Sequence, residues 1–106
     1  MPYDKSRSKL HEADHTTRHE RDFRVTARRN RLLGTWAADL MNLKGAEAEA
    51  YAKEVVTADL EEPGDEDVYR KVLGDFEKHG IAVSRAELEA KMHEVTAEAR
   101  TQLGAH

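Results

Sequence analysis

His11, Glu12 and His15, in "HEADH", stand in the H-E-x-x-H spacing. On a helix that spacing gives one zinc ion two imidazoles and brings a carboxylate to the attacking water. His19 continues the series one helical turn on, although it is not the usual third ligand. The surroundings argue against a metal enzyme. Leu10 is the only sizeable aliphatic residue between Tyr3 and Phe23, so the segment has little with which to hold ligands rigid, and no second sub-domain forms a cleft. The reading taken is no metal, no cofactor and no catalytic residue. On a helix, His11, His15 and His19 would share a face, and protonation near pH 6 would set like charges four residues apart.

Arginines form the second constellation. Arg21, Arg24, Arg28 and Arg31 project onto one helical face, nearly opposite the apolar face of the same run. Such a stripe is either a solvated surface or a surface for a partner. Exposed ion pairs contribute only about 0–1 kcal/mol each, which is a thin reason for four arginines. Arg29 projects onto the apolar side and is expected to pair with an acid from another helix. Glu61, Glu62, Asp65, Glu66 and Asp67 surround Pro63-Gly64 without the spacing of a calcium loop, and suit a helix start facing those arginines. Gly34 and Gly74 fall inside helices, where each costs about 1 kcal/mol relative to alanine; close packing is expected at both. Neither a phosphate-binding glycine loop nor a serine–histidine–acid set is present, so catalysis has little support.

The chain that must position these groups has 106 residues, enough for one domain that buries roughly 60–70% of its unfolded surface. It has no cysteine, which excludes a disulfide framework and a thiol nucleophile. No apolar stretch is long enough to span a membrane and no signal-like run opens the chain, so a cytoplasmic protein without membrane insertion is expected. The net charge of −4 conceals a polarity. Residues 1–31 hold 9 Lys/Arg against 5 Asp/Glu, and residues 32–106 hold 8 against 16. A basic head on an acidic body suggests an arm that meets something acidic.

Apolar spacing predicts four helices. The first runs from about His19 to Leu43, with Leu33, Trp36, Ala37, Leu40 and Leu43 inward and Gly45 closing it. The second runs from Ala46 to about Glu61, with Ala48, Tyr51, Ala52, Val55 and Val56 on its apolar side. The third starts near Asp65, buries Val68, Tyr69, Val72, Leu73 and Phe76, and stops at Gly80. In the fourth, Ser84 and Glu87 form a capping box, Val83 and Leu88 a hydrophobic staple, and Leu88, Met92, Val95, Ala99 and Leu103 the stripe. Short connections make this an all-α antiparallel four-helix bundle, residues 19–106, preceded by a mobile N-terminal arm, residues 1–18. Closing the first hairpin at Gly45 places Glu61 near Arg28 and Asp65 near Arg24.

Three blocks, "ARRNRLLGTWAADL", "GAEAEAYAKEVV" and "EEPGDEDVYRKV", together resemble the zeta subunit family of alphaproteobacterial F-type ATP synthases, over about Phe23 to Leu103. The resemblance implies a four-helix bundle whose N-terminal arm, matched here to about Met1–Asp22, inhibits ATP hydrolysis. The arm would do so by entering a catalytic interface of the alpha–beta head near the gamma rotor. It implies a non-enzymic regulatory subunit, monomeric when free and peripheral at the inner membrane when bound, with weak adenine nucleotide binding possible. The partner-binding residues it points to are Leu10, His11, His15, Arg18, His19, Arg21, Arg24, Arg28 and Arg31. Relatives commonly carry phenylalanines in the arm, whereas here Leu10 and Phe23 are the main apolar anchors. The alternatives are a similar bundle with weakened inhibition acting as a small regulatory or nucleotide-binding protein, and nucleic-acid binding through the arginine stripe. The acidic total and the lack of a reading module disfavour the last.

Overall fold

The computed structural model describes residues 22–60 and 64–104. In them four α-helices pack as an up-and-down bundle, with no strand among the described residues. The first, α1, covers residues 22–40. Val25, Leu33 and Ala37, and Met41 just beyond, recur at helical spacing and are buried, so this face becomes the core side. The helix stops earlier than the predicted Leu43, and Gly45 does not close it. Asn42 takes the left-handed conformation (φ 64°), its N–H donating to the Asp39 carbonyl at 3.1 Å, while the Leu43 N–H donates to Ala38 at 2.9 Å. That is a Schellman ending, and asparagine tolerates it second only to glycine. Gly45 instead precedes the second helix as its N-cap.

The second helix, α2, is Ala46–Ala58, with Tyr51, Ala52, Val55 and Ala58 buried. It ends three residues before the expected Glu61, and residues 61–63 lie outside those described. The third, α3, is Glu66–Lys78 and buries Val68, Val72 and Phe76, with Tyr69 and Leu73 packed at the margin. Gly80 (φ 69°) ends it as predicted, and the Ile81 N–H reaches the Phe76 carbonyl at 2.8 Å. The fourth, α4, is Arg85–Gln102, and its capping box forms as read. The Glu87 N–H donates to Ser84 Oγ at 3.1 Å and the Ser84 N–H to Glu87 Oε1 at 3.2 Å. Leu88, Met92, Val95 and Ala99 are buried, and Val83 packs against the core. Leu40 and Leu103, assigned inward from the sequence, are exposed at 40% and 37%. Each lies at a helix end, where its neighbours cover it only in part.

The glycines behave differently from each other. A Cβ on Gly34 would lie 2.7 Å from the Ala52 Cα and 3.2 Å from Val55 Cγ2, so α1 and α2 touch backbone to backbone there. Gly74 has open space instead, which corrects the expectation of close packing. Gly34→Ala is therefore expected to destabilise the fold by about 1–3 kcal/mol through overpacking. Gly74→Ala should stabilise it by about 0.5–1 kcal/mol through helix propensity and a less flexible unfolded chain. Chemical denaturation of the two variants checks the opposite signs.

Trp36 contacts two further helices, as its position predicts, but it stays half-buried at the core's edge. Its ring meets Phe76 edge-on at 5.6 Å, and the Lys91 ammonium lies 5.6 Å from its centroid. Trp36→Ala is expected to cost about 3 kcal/mol, at the low end for a large aromatic. Iodide should quench its fluorescence only in part; full quenching would remove it from this contact.

Tyr51 carries a buried polar link between α2 and α3. Its hydroxyl donates to Asp75 Oδ2 at 2.8 Å, and Lys71 reaches both Glu54 (2.8 Å) and Asp75 (3.2 Å). Burial, then the bond to Asp75, raises the Tyr51 hydroxyl well above its ordinary value. Burial opposes the Lys71 charge, but the bonds to Glu54 and Asp75 outweigh it and raise Lys71. A raised folded-state tyrosine stabilises fully below its unfolded value of about 10, and that stability is lost as pH rises beyond it. In an alkaline absorbance titration, Tyr51 should stay un-ionised past pH about 10, until the chain unfolds.

Candidate partner interface at the arginine end of the bundle

The starts of α1 and α3 and the ends of α2 and α4 lie at one end of the bundle. Arg29 joins three of these helices there. Its Nη2 donates to Asp65 Oδ1 at 2.9 Å and lies 3.7 Å from Asp59 Oδ1, while Nε and Nη2 both donate to Asn30 Oδ1 at 3.1 Å. Its side chain is 11% exposed. The sequence expectation that Arg29 pairs with an acid of another helix is met. Asp65, placed near Arg24 by the sequence, is taken by Arg29 instead. Engaged in this way, Asp65 makes no side-chain cap bond at the start of α3, although it occupies the N-cap position.

Arg24 and Arg28 are exposed one turn apart on α1. Arg31, read as their neighbour on the outward face, turns toward α2 and pairs with Glu49. Its position between the two faces makes either side reachable for a long side chain. Arg21, together with Leu10, His11, His15, Arg18 and His19, lies outside the described residues.

The sequence reading misses the burial of Asn30 and of Asp67, the latter read only as a helix-start acid, since a single buried polar position interrupts no periodicity. Asn30 is 1% exposed and serves as the acceptor that holds the Arg29 fork in plane. Asp67, 7% exposed, accepts from Arg70 at 3.0 Å through Oδ1; its Oδ2 has no partner among the described residues. Nearby, Arg85 of α4 bonds Glu66 (3.1 Å through Nη1) and Glu89 (3.1 Å), tying α4 to the start of α3. The bond from Arg85 chiefly holds the Glu66 carboxyl below its usual range, despite an opposing effect of burial.

Beside this polar cluster, Phe23, Arg24, Ala27, Arg28, Val56 and Leu103 line a groove of about 380 Å³. A neighbouring hollow shares Phe23 and Val56 and runs to Leu60 and Asp59. Apolar walls and guanidinium groups thus lie side by side at this end of the bundle. Among the described residues, no group of three or more His, Cys, Asp or Glu could hold a metal ion, and the "HEADH" histidines lie outside them. No described helix is long and apolar enough to cross a membrane.

The chain is similar to known proteins over most of its length. The family model described as ATPase inhibitor subunit zeta matches residues 3–102. The chain belongs to that family. Membership carries a regulatory, inhibitory role toward an ATPase. A protein structure determined by solution NMR is 49% identical and superposes with a TM-score of 0.69. That match covers 76% of this chain and 92% of the other. Among curated proteins none matches. The zeta-family match extends through the N-terminal residues that precede α1, not only through the bundle.

Proposed function

We propose that this chain is the inhibitory subunit of an F-type ATP synthase and blocks ATP hydrolysis by inserting its N-terminal arm, residues 1–18, into the catalytic head. The observation that carries this reading is the reach of the family match, which begins at residue 3 and so includes the arm. In this reading the arm meets the alpha and beta subunits beside gamma. Leu10 is its apolar anchor, and His11, His15, Arg18 and His19 provide polar and cationic contacts. Arg21, Arg24, Arg28 and Arg31 extend the contact surface toward the body. The protein works in the cytoplasm, monomeric when free and peripheral to the inner membrane when bound. It needs no cofactor and catalyses nothing.

Basic residues concentrated in residues 1–31 suit an acidic partner surface, and the acidic remainder disfavours nucleic acid. The test is ATP hydrolysis by the purified cognate enzyme, titrated with the full chain. Saturable inhibition with co-purification of the complex is the expected result. Undiminished hydrolysis at saturating protein, with no complex formed, would overturn the reading.

A further inference from the structure

Three of the four large apolar side chains exposed among the described residues lie at the arginine end. They are Phe23 at 63%, Leu60 at 66% and Leu103 at 37% exposure. Phe23 stands between the two hollows, and Val56 forms a shared floor. A rim of Arg24 and Arg28 borders this apolar strip, and neither makes an ion pair with a described residue. Contiguous apolar surface beside charge is how an interaction site differs from ordinary surface.

We propose that this groove is a second docking site, taking an amphipathic helix of the ATPase head that carries carboxylates four residues apart beside an apolar stripe. The proposal rests on the inhibitor reading and assigns the body, not only the arm, a share of the binding. Spacing supports it. Arg24 and Arg28 sit one helical turn apart, which is the repeat of acids at i and i+4 on a facing helix. Guanidinium groups there can take carboxylates in forked pairs. From Phe23 to Arg31 the strip is about 12 Å long, roughly two turns of a docked helix.

Charge decides among occupants. A second copy docked groove to groove would bring Arg24 and Arg28 toward the same arginines across a two-fold axis. The chain's own residues 1–21 carry 5 Lys/Arg against 4 Asp/Glu and so offer no net negative charge. An acidic partner helix satisfies both the apolar strip and the rim. Asp22 and Asp59 line the adjoining hollow, so the site's positive charge is confined to the Arg24–Arg28 rim, and a partner surface that meets the start of α1 can continue onto it.

The test uses the full chain with two double variants, Phe23→Ser with Leu60→Ser and Arg24→Glu with Arg28→Glu. Half-inhibitory concentration and binding to the purified head are read together. Each double variant is expected to weaken binding by about ten-fold or more, as loss of central apolar or arginine anchors does, while maximal inhibition stays unchanged. The arginine effect should shrink at high salt and the apolar effect should not. All four side chains are exposed, so helical content and melting should match wild type, and this controls for misfolding. Variants as potent as wild type would overturn the docking site and leave the inhibitor reading standing. A wild-type chain that neither inhibits nor binds the head would overturn both. Sedimentation showing a wild-type dimer that Phe23→Ser with Leu60→Ser dissolves would assign the groove to self-association and overturn the proposal.

Discussion

Removal of residues 1–18 is expected to abolish inhibition of ATP hydrolysis while the bundle keeps its helical content and melting behaviour. Every buried apolar side chain among the described residues lies between Val25 and Ala99, and the Ser84–Glu87 box and the Arg29 contacts are formed among described residues. In the proposed mechanism the arm draws its contacts from the partner. Ordering it costs about 1–2 kcal/mol per residue in backbone entropy, which buried apolar area and charge pairs in the complex have to offset. With Leu10 as the chief apolar anchor the surplus is small. Leu10→Phe, with more surface to bury, should raise potency. Titration of ATP hydrolysis with the truncated and substituted chains, beside circular dichroism of each, checks both expectations. Inhibition by the truncated chain equal to that of the full chain would move the inhibitory surface to the exposed arginines and the groove beside them.

The bundle was legible where a signal is local and redundant. Ser84, Glu87, Val83 and Leu88 announce the start of α4 through four agreeing positions, and all behave as read. Gly80 ends α3 because its positive φ suits few other residues. Reading failed where the outcome depends on a neighbour that no local pattern specifies. Leu40 and Leu103 lie on apolar faces by angle, but at the helix ends their neighbours cover them only in part. Asn42 took the role given to Gly45, since two residues able to turn left-handed lie three apart and the nearer one sufficed. Gly34 and Gly74 look alike in sequence, and only the approach of Ala52 separates them. At the candidate interface, Arg29 was legible from its angle on the helix. The turn of Arg31 toward Glu49 and the burial of Asn30 and Asp67 were not, because each follows from where α2 and α3 come to rest.

Arg29→Met is expected to lower the stability of the fold by about 3 kcal/mol or more, far beyond what Arg31→Met does, although both remove one guanidinium from α1. The difference is burial. Arg31 is 41% exposed and its partner Glu49 51%, so water replaces the lost pair and the change should be about 0–1 kcal/mol. Arg29 is 11% exposed, and its loss strands three acceptors at once: Asp65 Oδ1, the Asn30 amide oxygen and the Asp59 carboxylate. Among the described residues Asp59 Oδ1 is buried without a hydrogen bond, and the guanidinium 3.7 Å away supplies the compensating charge. Breaking a buried pair from one side costs about 3–5 kcal/mol because the remaining charge has nowhere to go. Asp65 is 39% exposed, which softens the penalty and sets the expectation at the lower end. Even so, that is a large share of the roughly 5–15 kcal/mol that holds a domain together. Melting should fall by on the order of 15 °C. Replacing the acids as well, Asp59→Asn with Asp65→Asn in the Arg29→Met background, should recover much of the loss, since no uncompensated charge then remains. Denaturant titration of the single, double and triple variants measures that recovery. If Arg29→Met melted like Arg31→Met, the cluster would be surface decoration, and the joint between α1, α2 and α3 would rest on apolar packing alone.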